Sequence, residues 1–238
     1  YIRDKIKRIV KDKHIAKILT DFGHPFTTKR PTLNTNYFET FNRKNVQLVD
    51  LKTNPIIKIT KKGIKTKNEE LKFDKIIFAT GYDALTGPIL SLNLTGRKNI
   101  KLKKYWKNGP KTFLGIMIPN FPNFFVISGP GSPSVLTNVP AQIEQHVEWI
   151  SKFIKHLEKV GCSKVEPGIK ETQNWVNKIN ILANKSLFMK AKNSWYKGDN
   201  IPGKPKKFIP YPAGLPQYRE ICNKVQKKMY KGFNISLK

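Results

Sequence analysis

The chain has 238 residues, of which 39% are hydrophobic and 11% aromatic, and its formal net charge is +29. This apolar content excludes a disordered tail and is sufficient for one or two globular domains. The sequence has no apolar run that could span a bilayer and no recognisable leader, and it begins with Tyr1, so we expect a soluble, cytoplasmic protein that lacks its start.

The excess of positive charge would by itself suggest a polyanion as partner. Only six of the 45 basic residues are arginine, however, whereas recognition of bases and phosphates relies on arginine. The lysines are also spread along the whole chain, from Lys5 to Lys238. We therefore predict that neither nucleic acid nor a membrane is a partner, and we keep a polyanion-binding protein as an alternative.

The first elements are helical and then extended. Apolar residues among the lysines of residues 1–19 recur at helical spacing, which predicts one amphipathic helix or two short ones. Residues 45–50 alternate between apolar and polar, and residues 56–60 and 64–66 flank Gly63. These patterns predict short strands and a hairpin.

Two compact apolar runs indicate buried strands. Residues 73–81 end in a glycine and predict a strand that is buried on both faces of a parallel sheet. Residues 123–128 have the same character and continue into a glycine-rich turn at residues 129–134. The predicted fold class is therefore α/β, with a domain boundary between Gly81 and Gly87.

Two longer helices are predicted after the glycine-rich turn. The first has Pro140 in its first turn and ends at Gly161, and its apolar stripe contains Ile143, Val147, Ile150, Ile154 and Leu157. The second extends from about residue 166 to residue 189, with Trp175, Ile179 and Leu182 on one face. Prolines and glycines make the region after it irregular.

Three features carry candidate chemistry. The glycine-rich turn is followed by a helix at Val139, and together they offer backbone N–H groups to a phosphate or an electron-rich heteroatom. Ser134, however, replaces the third glycine of a dinucleotide-binding fingerprint. A ligand-binding turn and an ordinary structural loop therefore fit the sequence equally well. Lys29 and Arg30 are either a phosphate-binding pair or a solvated one. Trp195 either stacks on a heterocycle or covers the core.

Metal and hydrolase chemistry find no support in the sequence. The four histidines lack the spacing of a zinc site, and Cys162 and Cys222 are predicted to be free thiols. Ser132 lies between Gly131 and Pro133 and so is outside the glycine-flanked nucleophile motif.

Residues 129–134 followed by residues 143–149, Ile-Glu-Gln-His-Val-Glu-Trp, are similar to the Baeyer-Villiger monooxygenases of the cyclohexanone and phenylacetone type. Further segments resemble this family in the same order: residues 28–31, 37–38, 41–43, 79–84, 194–196 and 200–204. The resemblance covers nearly the whole chain and identifies it as a C-terminal fragment.

The resemblance implies the later parts of two interleaved Rossmann-like dinucleotide-binding domains. Residues 1–25 would end a helical insertion, residues 26–81 would be the second part of the NADPH-binding domain, and residues 82–238 the C-terminal part of the FAD-binding domain. The family's glycine-rich fingerprints are missing from this chain. We therefore expect the fragment to be inactive alone, with the missing N-terminal half as its partner.

The implied reaction inserts one oxygen of O2 next to a ketone carbonyl, giving an ester or lactone, through a C4a-peroxyflavin formed after NADPH reduces FAD. The implied partners are a small ketone and O2, and the protein is expected to be a monomer. A flavin monooxygenase that oxygenates nitrogen or sulfur is the alternative among enzymes. Among proteins that are not enzymes, the alternative is an inactive fragment.

The resemblance also implies roles for residues on both sides of residue 82. Arg30 corresponds to the family's catalytic arginine, which also contacts NADPH. Lys29 corresponds to the lysine that binds the 2′-phosphate of NADPH. Trp195 corresponds to a tryptophan that contacts the ribose on the nicotinamide side. One departure affects this region, since Thr27 stands where relatives often have glycine.

The remaining implied site residues form one run. Asn138 and Val139 correspond to FAD-binding positions, with the Val139 N–H directed at the flavin pyrimidine carbonyl. The ketone pocket would be lined by Ser134, Val135, Leu136 and Val139.

Overall fold

The computed structural model describes residues 1–237 and contains both helices and sheets. The chain divides into two compact units, the first of which is Tyr1–Gly81, while the second begins at Tyr82. Gly81 is the glycine that ends the apolar run of residues 73–81. Among residues 1–237, no helix combines the length and apolar character needed to cross a membrane.

The first unit begins with two short helices, α1 (Ile2–Ile9) and α2 (Lys13–Thr20), as one of the two sequence interpretations predicted. The carboxylate of Asp12 caps α2 by accepting a 2.9 Å hydrogen bond from the Ile15 N–H. Ile6, Val10 and Ala16 form a small core between these helices and α3 (Tyr37–Thr40).

A three-stranded antiparallel sheet follows in the same unit. Its strands are β1 (Ile56–Ile59), β2 (Gly63–Thr66) and β3 (Glu70–Lys72), in the order β1-β2-β3. The hairpin around Gly63 is thereby confirmed. The strand predicted at residues 45–50 is wrong, because within residues 1–237 no neighbouring strand pairs with this segment and an unpaired strand leaves its backbone groups without partners.

Residues 73–81 do not form the buried parallel strand that their composition predicts. They have no regular secondary structure, and Ile77 is 90% exposed and Phe78 66% exposed. A strand buried on both faces requires neighbouring strands, and within the described residues none pairs with this run. Residues 123–128 likewise form only an isolated bridge between Met117 and Phe125.

The second unit contains most of the core. Its helices are α4 (Gly87–Ser91), α5 (Leu102–Tyr105), α6 (Val139–Lys159), α7 (Ile169–Asn184) and α8 (Gly214–Lys227). Its strands β4 (Cys162–Pro167) and β5 (Phe233–Leu237) pair antiparallel. Short 3-10 helices lie at Arg97–Asn99, Ser134–Leu136 and Leu187–Lys190.

Aromatic rings fill the centre of this core. The ring of Phe153, on α6, lies 5.3 Å from that of Trp149, 4.2 Å from that of Tyr230 and 4.7 Å from that of Phe233. Phe233 begins β5, so the same cluster joins α6 to the two-stranded sheet. Large rings bury more apolar area than aliphatic side chains and so dominate the packing.

Helix α6 begins and ends as predicted, but its buried face coincides with the predicted stripe only at Ile150 and Leu157. Pro140 lies in its first turn, and Gly161 follows its end with a φ of +67°. Ile143, Val147 and Ile154 of the predicted stripe are 38%, 44% and 39% exposed. The buried face carries Gln142, Gln145, His146, Trp149, Ile150, Phe153 and Leu157. Trp149 and Phe153 determine the buried face because of their larger apolar area.

Helix α7 is shorter than predicted at both ends. Residues 166–167, where the helix was predicted to begin, belong to β4 instead, because this strand pairs with β5, for example Val165 with Ile235. At the other end the helix stops at Asn184, before the 3-10 helix at Leu187–Lys190. Trp175 and Ile179 are buried as predicted. Strand pairing between segments so far apart in sequence leaves no local pattern from which to predict it.

Candidate functional site

In the first unit, Lys29 and Arg30 follow a tightly bonded turn. The Thr28 N–H and hydroxyl donate to the Pro25 carbonyl at 3.3 and 2.6 Å, and the same hydroxyl lies 3.2 Å from His24 Nδ1. Thr28 is buried, Lys29 is half-buried and Arg30 is exposed. The turn therefore presents two adjacent cations from a backbone that Thr28 holds in place.

Thr27, within this turn, has a φ of +69°. A β-branched residue is disfavoured in this left-handed region, where glycine is accommodated without strain. Thr27 stands where relatives often have glycine. Its backbone is therefore strained directly before the Thr28–Lys29–Arg30 segment.

In the second unit, the glycine-rich turn is held by bonds to three other segments. The Gly131 N–H donates to the Ile209 carbonyl at 2.8 Å, and the Gly131 carbonyl accepts from the Trp175 indole N–H at 3.0 Å. The Thr112 hydroxyl donates to the Pro130 carbonyl. With a φ of +89° at Gly131, glycine is required in this conformation.

Ser134, Val135 and Leu136 form the 3-10 helix that leads from this turn to α6. Ser134 is buried and has a φ of +47°, whereas Val135 and Leu136 are half-buried. Asn138 caps α6, since its side-chain oxygen accepts from the Ala141 N–H at 3.1 Å. The five candidate residues of this run thus lie on one connection between the turn and the helix.

The N-terminus of α6 offers a backbone donor at its first residue. Val139 is its first residue, and the first N–H groups of a helix have no acceptor within the helix. The Asn138 side chain satisfies the amide of Ala141, and Pro140 has no N–H. The half-buried Val139 N–H, at the positive end of a long helix dipole, is suited to an oxygen that carries negative charge.

Trp195 lies in a loop that is fixed by an ion pair. Its ring packs 4.8 Å from that of Tyr196, and it is half-buried. The Asp199 carboxylate accepts from the Ser194 N–H at 2.5 Å and pairs with Lys197 at 3.0 Å, and both charged side chains are largely buried. The Ser194 hydroxyl is buried without a hydrogen-bond partner among residues 1–237.

The structure brings together two segments of this unit that sequence reasoning treated separately. The Lys204 ammonium contacts the Asp83 carboxylate and donates to the Ala84 carbonyl at 3.3 Å, and the Asn200 amide donates to the Tyr82 carbonyl at 3.4 Å. In the sequence, only the opposite charges of Asp83 and Lys204 could have suggested this contact.

His146, on the buried face of α6, makes hydrogen bonds for which the sequence offers no local signal. Its Nδ1 accepts from the Ser128 N–H at 3.2 Å, and its Nε2 lies 2.7 Å from the Tyr218 hydroxyl. Burial lowers the pKa of His146 to about 4, so the imidazole is neutral near pH 7. Among residues 1–237, no group of His, Cys, Asp and Glu side chains is arranged to hold a metal ion.

The candidate residues therefore fall into two sets. Lys29 and Arg30 lie in the first unit. The six others lie in the second unit, and they are Ser134, Val135, Leu136, Asn138, Val139 and Trp195.

The chain matches no family model, but it is similar to curated monooxygenases along nearly its whole length. It is 42% identical over 231 residues to a Baeyer-Villiger monooxygenase of Pseudooceanicola batsensis, covering 97% of this chain and 42% of that protein. It is 38% identical to a cyclohexanone 1,2-monooxygenase of an Acinetobacter species, covering 100% and 43%. A phenazine N-monooxygenase of Lysobacter antibioticus is 36% identical, covering 98% and 42%.

Solved structures give the same result. A steroid monooxygenase bound to NADP superimposes with a TM-score of 0.90 at 39% identity, covering 99% of this chain and 44% of that one. A complex of the monooxygenase OTEMO with FAD and NADP superimposes with a TM-score of 0.94 at 34% identity, covering 99% and 43%. The chain thus spans less than half the length of the relatives it matches. Nearly the whole chain is homologous to part of the Baeyer-Villiger monooxygenases, and its fold matches the corresponding part of their structures.

Proposed function

We propose that the protein containing this chain is an FAD- and NADPH-dependent Baeyer-Villiger monooxygenase that inserts one oxygen of O2 next to a ketone carbonyl. The observation that carries the proposal is the run from Ser134 to Val139. This run joins a buried glycine-rich turn to a helix N-terminus whose first amide has no acceptor within the helix. Relatives named for this reaction match the chain along nearly its whole length.

The N-terminus of α6 has the properties that an isoalloxazine edge requires. A pyrimidine carbonyl would accept the Val139 N–H, and the positive end of the helix dipole favours negative charge on that carbonyl. Asn138 keeps the first turn of the helix in place by bonding the Ala141 amide. When bound, the flavin supplies the redox chemistry and the transfer of oxygen.

Lys29, Arg30 and Trp195 are the proposed NADPH contacts. The Lys29 ammonium is a point charge suited to the 2′-phosphate, and the Trp195 indole N–H is a donor for the ribose. Arg30 has a second proposed role as the catalytic residue. Its permanent positive charge would stabilise the negative oxygen that develops when the ketone carbonyl becomes tetrahedral.

The ketone pocket is proposed to involve Ser134, Val135, Leu136 and Val139. Three of these side chains are apolar and half-buried, so they would contact the hydrocarbon part of a ketone and exclude water from the reacting carbonyl. The size of the side chains at Val135 and Val139 would then determine which ketones fit.

The chain is proposed to act together with a polypeptide equivalent to the rest of its relatives, and to be inactive without it. Residues 26–81 and 82–238 are proposed to be parts of the NADPH- and FAD-binding domains. A monomeric state and a cytoplasmic location are retained as proposals. Cys162 and Cys222 are free thiols, which are typical of a reducing compartment.

A second candidate function is supported by one relative. The phenazine N-monooxygenase is 36% identical over 98% of the chain, so N-oxygenation occurs within the range of relatives at this level of identity. A pocket that accepts an amine nitrogen in place of a ketone carbonyl would lead to an N-oxide.

The experiment is to express the complete reading frame that contains this chain and to supply NADPH, O2 and a panel of ketones, amines and sulfides. Products one oxygen heavier are identified by mass spectrometry. We expect flavin to be bound and esters or lactones to form. Oxygenation of amines or sulfides alone would favour the second candidate, and absence of bound flavin would contradict both.

A further inference from the structure

A buried chain of hydrogen bonds crosses the second unit between two backbone turns. The Ser128 N–H donates to His146 Nδ1 at 3.2 Å, His146 Nε2 lies 2.7 Å from the Tyr218 hydroxyl, and that hydroxyl donates to the Leu114 carbonyl. His146 and Tyr218 are both fully buried. We call this chain of bonds from Ser128 to Leu114 the His146–Tyr218 relay.

The two backbone ends of the relay favour one direction for its bonds. The Ser128 N–H donates to His146 Nδ1, which corresponds to the neutral imidazole with its proton on Nε2. The imidazole has two further polar neighbours, since Gln142 Nε2 lies 3.4 Å from His146 Nε2 and the backbone of Val126 also bonds the ring. A carbonyl only accepts, so the Tyr218 O–H must point to Leu114, and its oxygen receives the Nε2–H. The relay is therefore complete with a neutral histidine and a protonated tyrosine.

The surroundings of the relay maintain these protonation states. The titratable groups facing His146 are on α8, namely Tyr218 and, next to it, Cys222. Burial raises the pKa of both of these groups and lowers the pKa of His146, so all three stay uncharged near pH 7. The neighbours of His146 on its own helix, Gln142 and Gln145, carry no charge.

Both ends of the relay are strained backbone positions. Ser128 has a φ of +54° and Leu114 a φ of +56°, which is the left-handed region that residues with a Cβ rarely adopt. Residues in such conformations persist only where the surrounding structure holds them. The relay therefore bonds two positions whose backbone conformation is costly for a residue with a Cβ.

The two turns also meet at glycines. A Cβ on Gly115 would lie 2.5 Å from the Ser132 nitrogen, and a Cβ on Gly129 would lie 2.5 Å from the Gly115 carbonyl oxygen. Such distances leave no room for a side chain, so the turn at residues 114–115 is in direct backbone contact with the glycine-rich turn.

We propose that His146 and Tyr218 are positioning residues that hold the turn at residues 128–134 against α6 and thereby orient the run from Ser134 to Val139. His146 is on the same helix as Val139, two turns further along, so its bond to Ser128 links the beginning of the loop to the helix that ends it. The claim that this orients a flavin and a ketone rests on the proposed function. The mechanical linkage does not.

The linkage is tested in the complete protein by amide hydrogen exchange in residues 113–117 and 125–134. His146→Leu removes the acceptor of the Ser128 N–H, and Tyr218→Phe removes the donor to Leu114. His146→Gln retains an acceptor and a donor but does not titrate. Tyr230→Phe is the matched control, because it removes a phenol hydroxyl from a residue only 4% exposed that lies outside the relay.

We expect exchange at these two segments to be about tenfold faster or more in His146→Leu and Tyr218→Phe. His146→Gln and Tyr230→Phe should stay close to the wild type. Equal exchange in all four variants would overturn the linkage. If the two disruptive variants do not fold, lowering the pH towards 4 provides the same test, because protonation of His146 Nδ1 removes the acceptor in the wild type but not in His146→Gln.

The positioning role is tested by the yield of product per NADPH consumed and by the visible spectrum of the bound flavin. His146→Leu should keep its KM for NADPH but give several-fold less product per NADPH, with His146→Gln close to the wild type. Normal yield together with fast exchange would show that the relay is only structural and overturn the positioning role. If the wild-type protein binds no flavin and forms no product, the proposed function is wrong. The amide exchange rates would still show whether the relay links the two turns.

Discussion

At the scale of single residues, the adjacent cations Lys29 and Arg30 have different proposed roles, and substituting each of them should have a different effect. In the complete protein, Arg30→Ala should still bind FAD but lose roughly 100-fold or more of its ester formation, because one fixed charge near a developing oxyanion is removed. Lys29→Ala, its matched control, should weaken NADPH binding more than NADH binding. Unchanged ester yield in Arg30→Ala, or equal losses for both nucleotides in Lys29→Ala, would remove these assignments.

Thr27 leads to a stability prediction at the same scale. A non-glycine residue at a φ of +69° costs about 1–2 kcal/mol, and glycine loses about 0.5–1 kcal/mol more backbone entropy on folding. Thr27→Gly should therefore raise the free energy of unfolding by roughly 0.5–1 kcal/mol. Thr27→Ala, which keeps the Cβ, should give little gain. Urea denaturation measures both, and a less stable glycine variant would show that the turn is not strained.

At the scale of elements, the N-terminus of α6 depends on one side chain. Asn138→Ala removes the bond to the Ala141 N–H and should lower the free energy of unfolding by about 1 kcal/mol. The same variant should weaken flavin binding, because the first turn that presents the Val139 N–H becomes less ordered. Asn138→Ser, a comparable cap, should retain both properties. Denaturant titration and flavin fluorescence distinguish the three proteins, and an unaffected Asn138→Ala would argue against the cap.

At the scale of the whole molecule, apolar side chains remain exposed in both units. In the first unit these include Ile77 and Phe78, and in the second unit they include Ile143 and Val147 of α6. Large exposed apolar surfaces in a globular chain indicate contacts with another polypeptide. The chain spans 42–44% of the length of its relatives named here, which is consistent with such a contact.

We therefore expect the amides of residues 73–79 to exchange at least about tenfold more slowly in the complete protein than in the isolated chain, because this run would pair as a strand. Binding of an apolar dye should fall in parallel. The hairpin of β1 and β2 is the internal control, since its bonds form within the chain. Equal exchange of residues 73–79 in the two proteins would contradict the expected contact.

Features encoded within a few residues could be predicted from the sequence. The helical character of residues 1–19, the hairpin around Gly63 and the ends of α6 at Pro140 and Gly161 follow from local patterns of apolar, proline and glycine residues. The homology also follows from the sequence, because many short motifs occur in the same order. Backbone preferences and capping act over one or two turns, so local sequence is sufficient to specify them.

Contacts between distant residues were decided only by the tertiary structure. The buried face of α6 depends on which rings meet Tyr230 and Phe233, and β4 exists because β5 pairs with it. The His146–Tyr218 relay joins residues on α6 and α8 to two strained turns. The same residues 73–79 that have the composition of a buried strand are exposed here except for the half-buried Ile76, because a strand requires neighbours and its own sequence does not provide them.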